Sequence, residues 1–283
     1  MSYRPSSGTG KPPIRDTSPP SKLFANSSSN PMFIQQTGRG PQTVVGLHGW
    51  SGDHHTFDPL LGEMPEDYRF YALDLPGCGK SALPQKWEMR SLACEVAQEV
   101  IELNRKNMTL MGSCSGGILA VFVSRELIRM GKGDMVKRLV MIDPFAFCPW
   151  YFQLFLVPVA GPCMYAAAFA NPIGRWITNL FLQDKRAEDT HLTRAFAEVN
   201  HRVVWKYLKM LSECGRPDQF RGLNLPVDIL FGEKTFFSVR KSVRDWKEAL
   251  PQAKLIKLKG VGHLPIDEGT KKMAEMVFPQ AKG

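Results

Sequence analysis

From Pro31 onward the chain alternates short apolar runs with longer stretches in which apolar residues recur every three or four positions. The short runs are TVVGL at 43–47, RFYAL at 69–73, NMTLM at 107–111, KRLVMI at 137–142, VDILF at 227–231 and AKLIKL at 253–258. Each has a strand's length. Between them lie segments such as LACEVAQEVIELN, where Leu92, Val96, Val100 and Leu103 fall on one helical face. Strand and helix in alternation predict a mostly parallel central sheet flanked by helices. In such a sheet the functional site lies at the carboxyl ends of the strands.

Two regions break the alternation. Residues 1–30 are rich in Ser, Pro and Gly and poor in large apolar side chains, so they are expected to form a disordered tail. Residues 144–225 read as mostly helical and include PWYFQLFLVPVAGPCMYAAAFA, twenty-two residues without a charge. Pro158, Gly161 and Pro162 interrupt that run, which argues for an apolar helical cap over the site rather than a membrane span. Peripheral membrane contact through residues 149–170 is a variant of the same reading. The expected organisation is thus tail 1–30, core 31–143, cap 144–225 and core 226–283.

Composition narrows the partners. A chain of 283 residues, 43% hydrophobic, closes one sizeable core. The formal net charge of +9 suits solvated helix faces or an acidic partner such as anionic lipid or an acidic acyl carrier protein. Nucleic acid is not expected, because no Lys/Arg run is interleaved with aromatics. The six cysteines form no C-x-x-C pair and no secretory leader is read at the start, so the expectation is a reduced, cytoplasmic protein with no metal site and no cofactor.

The chemistry is concentrated in LMGSCSGG at 110–117, where a strand passes into a helix. Glycines two residues either side of an exposed residue suit a strained, crowded turn that presents a nucleophile. One frame, Gly112 to Gly116, puts Cys114 at the tip, and a second, Ser113 to Gly117, puts Ser115 there. The first is preferred, because it leaves Gly116 and Gly117 together where the helix start packs on the strand.

With that elbow, LHGWSG at 47–52, ALDLPGCGKS at 72–81 and GVGHLPIDE at 260–268, the chain resembles the α/β-hydrolase superfamily. The resemblance implies an α/β-hydrolase fold with a helical cap. It also implies an oxyanion hole from the backbone N–H groups of Trp50 and Ser115, and His263 as general base. Two departures stand out. Cys114 replaces the usual serine, as in dienelactone hydrolases and polyhydroxyalkanoate synthases, and a thiol ionises more readily than a hydroxyl. Thr235 occupies the position where many members carry the acid. Asp143, at the end of the preceding strand, is then the candidate acid, with Glu233 in reserve.

Trp50, Phe145 and Trp150 are the candidate residues for holding an acyl group. The set implies an ester or thioester hydrolase or acyltransferase working through an acyl-cysteine intermediate on a hydrophobic acyl substrate, carried by an acidic carrier protein or coenzyme A. The competing reading is a retired hydrolase that keeps its pocket to bind an apolar ligand or partner. Which reading holds turns on whether Asp143 reaches His263.

Overall fold

The computed structural model describes residues 32–186 and 190–279; the expected tail lies outside the described residues. Seven strands form one sheet in the order β1-β3-β2-β4-β5-β6-β7. They are β1 (Ile34–Gly38), β2 (Gln42–Leu47), β3 (Tyr68–Leu73), β4 (Met108–Ser113), β5 (Val136–Ile142), β6 (Val227–Gly232) and β7 (Lys254–Leu258). All neighbours are parallel except β1, which pairs antiparallel with β3. The six apolar runs are the six parallel strands. β1, IQQTG, was not legible as a strand because it carries one large apolar residue and lies at the sheet edge, where pairing replaces burial.

Helices cover both faces. The helix Met89–Glu102 buries Leu92, Val96 and Val100, and Leu103 follows just beyond its end. With the helices Ser115–Arg129 and Phe237–Ala249 it encloses one apolar layer. On the other face Phe57, Phe70, Met273 and Val277 form the second. Burial of side chains of this size contributes roughly 1.5–3 kcal/mol each, which makes these two layers the main source of stability.

Between β5 and β6 the chain is a series of short helices, including Ala160–Tyr165, Pro172–Phe181 and His201–Glu213. Their inner side forms a third, aromatic cluster of Tyr165, Phe169, Phe196 and Val204, against which Trp50, Phe155 and Trp205 pack. The segment meets the core through the Trp50 loop, at the carboxyl end of β2, and through Val203, Tyr207 and Met210 of the helix His201–Glu213, which join the first apolar layer.

Candidate active site

β4 ends at Ser113, and the next residue, Cys114, has φ 53° and ψ −116° before the helix Ser115–Arg129 begins. A non-glycine residue at this φ is strained, and its surroundings must hold it there. The Cys114 N–H is tied to the Ile142 carbonyl at 2.7 Å. The flanking glycines permit the close approach: a Cβ on Gly112 would lie 2.1 Å from the Gly116 oxygen, and one on Gly116 only 2.3 Å from the Leu47 oxygen. The turn is therefore centred on Cys114. Ser115 is the first residue of the helix, so the frame that put Ser115 at the tip is not the one the backbone adopts.

Asp143 follows β5 directly, at φ 49° and 1% exposed. Its Oδ1 accepts the Gly232 N–H at 2.9 Å, and its Oδ2 lies 2.5 Å from His263 Nδ1. Thr235 also donates its hydroxyl to Asp143 Oδ2, and the same hydroxyl is 3.3 Å from His263 Nδ1. The two positions considered for the acid thus converge: one supplies the carboxylate and the other supports it. Glu233, the reserve, lies on the surface, where it accepts the Gly260 N–H at 3.1 Å and pairs with Lys257 at 3.3 Å.

His263 is fixed from several sides. Its backbone N–H donates to the Lys185 carbonyl at 2.9 Å, and its ring lies edge-on to Phe236 and Phe145 at centroid distances of 4.7 and 5.8 Å. The Cys114 side chain lies beside the imidazole and interacts with it. Burial acts to lower the His263 pKa, but the bond to Asp143 and the interaction with Cys114, with the charges they carry, outweigh burial and hold it up to about 10. His263 is therefore bonded to the buried Asp143 carboxylate on one side and adjoins the Cys114 side chain on the other.

The loop after β2 faces the elbow. A Cβ on Gly49 would meet the Cys114 Cβ at 3.0 Å. No acceptor for the Trp50 or Ser115 backbone N–H occurs among the described residues. His48 is buried behind the loop: its Nε2 accepts the Leu75 N–H at 3.0 Å, so the proton sits on Nδ1 and points to the Gly49 carbonyl at 2.9 Å. Burial lowers its pKa, and this neutral ring shapes the loop. Asp74, in the ALDLPGCGKS segment, is likewise structural, accepting from His54 and from the Lys80 N–H.

The aromatic wall differs from expectation in one member. Trp50 is anchored by its Nε1–H to the Val204 carbonyl at 2.8 Å and lies edge-on to Phe152, Phe169 and Phe196. Phe145 packs beside His263 and Phe152. Trp150 is 72% exposed and does not join them, because the short helix Trp150–Gln153 turns Phe152 inward instead. Sequence reasoning missed Phe152, Phe236 and Tyr151. The Tyr151 hydroxyl bonds Ser238 Oγ at 2.7 Å, and its pKa is raised by burial and by the charge of nearby Cys114. The signal for all three was their place beside residues already singled out.

Among known proteins, the chain is 38% identical over 106 residues to a probable serine hydrolase of Drosophila melanogaster, a match covering 36% of this chain and 30% of that one. It spans about a third of the length of the serine hydrolase relatives it matches. A pimeloyl-[acyl-carrier protein] methyl ester esterase of Vibrio vulnificus is 23% identical over 263 residues, covering 84% of this chain and 92% of that one. The solved structure of a thermophilic esterase from Thermogutta terrifontis superposes with a TM-score of 0.71 at 18% identity, covering 91% and 95% of the two chains. Residues 44–276 match the Alpha/beta hydrolase family over most of the sheet and all of the site, and the chain belongs to that family.

Proposed function

We propose that the protein hydrolyses esters or thioesters of hydrophobic acyl groups through an acyl-cysteine intermediate. The observation that carries this reading is the chain from the Cys114 side chain through His263 to the buried Asp143 carboxylate. A retired hydrolase kept as a binding protein would have no need of a carboxylate held against that imidazole.

In the first half-reaction the Cys114 thiolate attacks the acyl carbonyl carbon, and the oxygen that becomes negative is stabilised by the Trp50 and Ser115 N–H groups. As the bond to the leaving group breaks, the His263 imidazolium gives that group its proton. Acylation removes the thiolate charge that helped to hold the proton on His263, so the imidazole becomes a better base at the moment water must be activated. His263 then takes a proton from water, the hydroxide attacks the thioester carbonyl, and collapse expels the Cys114 thiolate and releases the acid. Asp143 keeps the Nδ1 proton in place throughout. Transfer to an acceptor alcohol, amine or thiol differs only in what replaces water.

Trp50, Phe145 and Phe152 give the acyl side an aromatic lining. The Vibrio relative is named for an acyl-carrier-linked ester, and a net charge of +9 suits an acidic carrier. Intact-protein mass spectrometry after incubation with acyl thioesters and activated esters tests the reading. An adduct of the acyl mass on the wild type, absent from Cys114→Ala and accumulating in His263→Ala, is expected. Turnover with no adduct in either protein would count against an acyl-cysteine.

Thr235 is a positioning residue in this scheme. Thr235→Val keeps the side-chain shape but removes a donor from a buried carboxylate, an interaction worth about 1.5–3 kcal/mol. The expected result is a fall of roughly tenfold or more in kcat/KM on a soluble ester, recovered by Thr235→Ser. Equal loss in both variants would point to packing in place of the hydroxyl.

A further inference from the structure

The helix Pro172–Phe181 is mounted inside out. Ile173, Trp176, Ile177, Leu180 and Phe181 share one face, and they are 70, 67, 42, 49 and 82% exposed. Its polar side chains face the protein. Asn179 is buried, with its amide on His191 Nδ1 at 2.8 Å and on the Leu192 N–H at 3.1 Å. Arg175 donates to the Phe169 carbonyl at 3.2 Å, and Thr178 to that of Ala168 at 3.3 Å. An amphipathic helix of a water-facing protein has the opposite orientation.

The adjoining segment extends the same surface. The helical pieces Trp150–Leu156 and Ala160–Ala170 are bent by 114° at their break. Val159, at that break, has φ 66° and is 88% exposed, an unusual conformation for a branched side chain. Among the described residues no single helix is long and apolar enough to cross a membrane. The inner sides of these pieces hold Tyr165 and Phe169 in the aromatic cluster, so the outer sides form a surface and not a span.

We infer that this face of the cap docks on the interface of a bilayer containing anionic lipid. Charge selects this occupant. From Pro144 to Gln183 the only charged residue is Arg175, so this segment brings no carboxylate to be repelled by lipid phosphates, and the whole chain is +9. A second copy of the same chain would bring another +9 against it. Exposed tryptophan and phenylalanine are the side chains that favour the headgroup boundary.

Full-length protein is sedimented with vesicles of phosphatidylcholine alone and of phosphatidylcholine with phosphatidylserine. The wild type is expected to pellet with the anionic vesicles more than with the neutral ones, and less as salt rises. Trp176→Glu with Phe181→Glu is expected to lower the bound fraction at least about tenfold. Thermal melting and turnover of a small soluble ester should be unchanged in that variant, and Trp176→Ser alone serves if the double variant melts early. Wild type left in the supernatant with both vesicles, equal binding to both, or undiminished binding of the variants overturns the inference. So does a wild-type dimer in equilibrium sedimentation that the variants convert to monomer, which would assign the face to a second copy.

Discussion

Cys114→Ala is expected to lower turnover of an activated ester by at least about 10³-fold, with the fold and the uptake of apolar ligands unchanged. In the proposed scheme the variant keeps the aromatic wall and both oxyanion donors, the main-chain N–H groups of Trp50 and Ser115, and loses the attacking atom, so only their residual catalysis is expected to remain. Ser115→Ala is expected to stay within about tenfold of the wild type, since a backbone donor survives a side-chain change. The pair of variants discriminates sharply in a relative of proteins named serine hydrolases. The two hydroxyl-bearing neighbours, Ser113 and Ser115, lie one residue to either side of the tip, and only Cys114 has the positive φ that lifts a side chain out of the strand-to-helix turn. A serine nucleophile at position 115 would give the reverse result: loss with Ser115→Ala and near-normal turnover with Cys114→Ala. Kinetics on one soluble ester, with circular dichroism to check folding, decide the matter.

Most of the fold was readable because burial on both faces leaves a largely apolar run in the inner strands, while the edge strand β7, KLIKL, is mostly exposed and was placed by its short apolar run after a helical segment. The elbow was readable for a steric reason: positions 112 and 116 tolerate no Cβ, and glycine is the mark that such crowding leaves in a sequence. Asp143 was reached through family resemblance, since an aspartate at a strand end has many uses and nothing local separates them. The support it receives from Thr235 could not be read, because the two are joined only when the loops after β5 and β6 are folded side by side. Trp150 failed for a related reason: in a one-turn helix, a shift of two residues decides between solvent and site, and composition does not fix that rotation. The helix Pro172–Phe181 marks the same limit on a larger scale. Its spacing reveals one apolar face, but which way that face turns depends on Asn179 and Arg175 finding partners in the cap.

Asp143→Asn is expected to reduce ester turnover by about 10³–10⁴-fold and to change how the protein responds to pH. The amide has the shape of the carboxylate but not its charge, so it cannot stabilise an imidazolium at His263. In the wild type burial opposes that charge and is outweighed by Asp143 and Cys114, which together hold the His263 pKa up to about 10. A pKa raised on folding from about 6.5 contributes stability that is fully present below that pH and is lost as pH rises through about 10. The melting-temperature advantage of the wild type over Asp143→Asn should therefore shrink between those limits as the imidazolium loses its proton. Cys114→Ala removes a different contributor and should also lower the His263 pKa, leaving the Asp143 bond in place. Titration of the His263 ring by nuclear magnetic resonance in the three proteins separates the two effects. A wild-type midpoint near 6.5, unmoved by either change, would mean that neither partner holds the proton, and the acyl-transfer scheme would lose the acid that serves its leaving group.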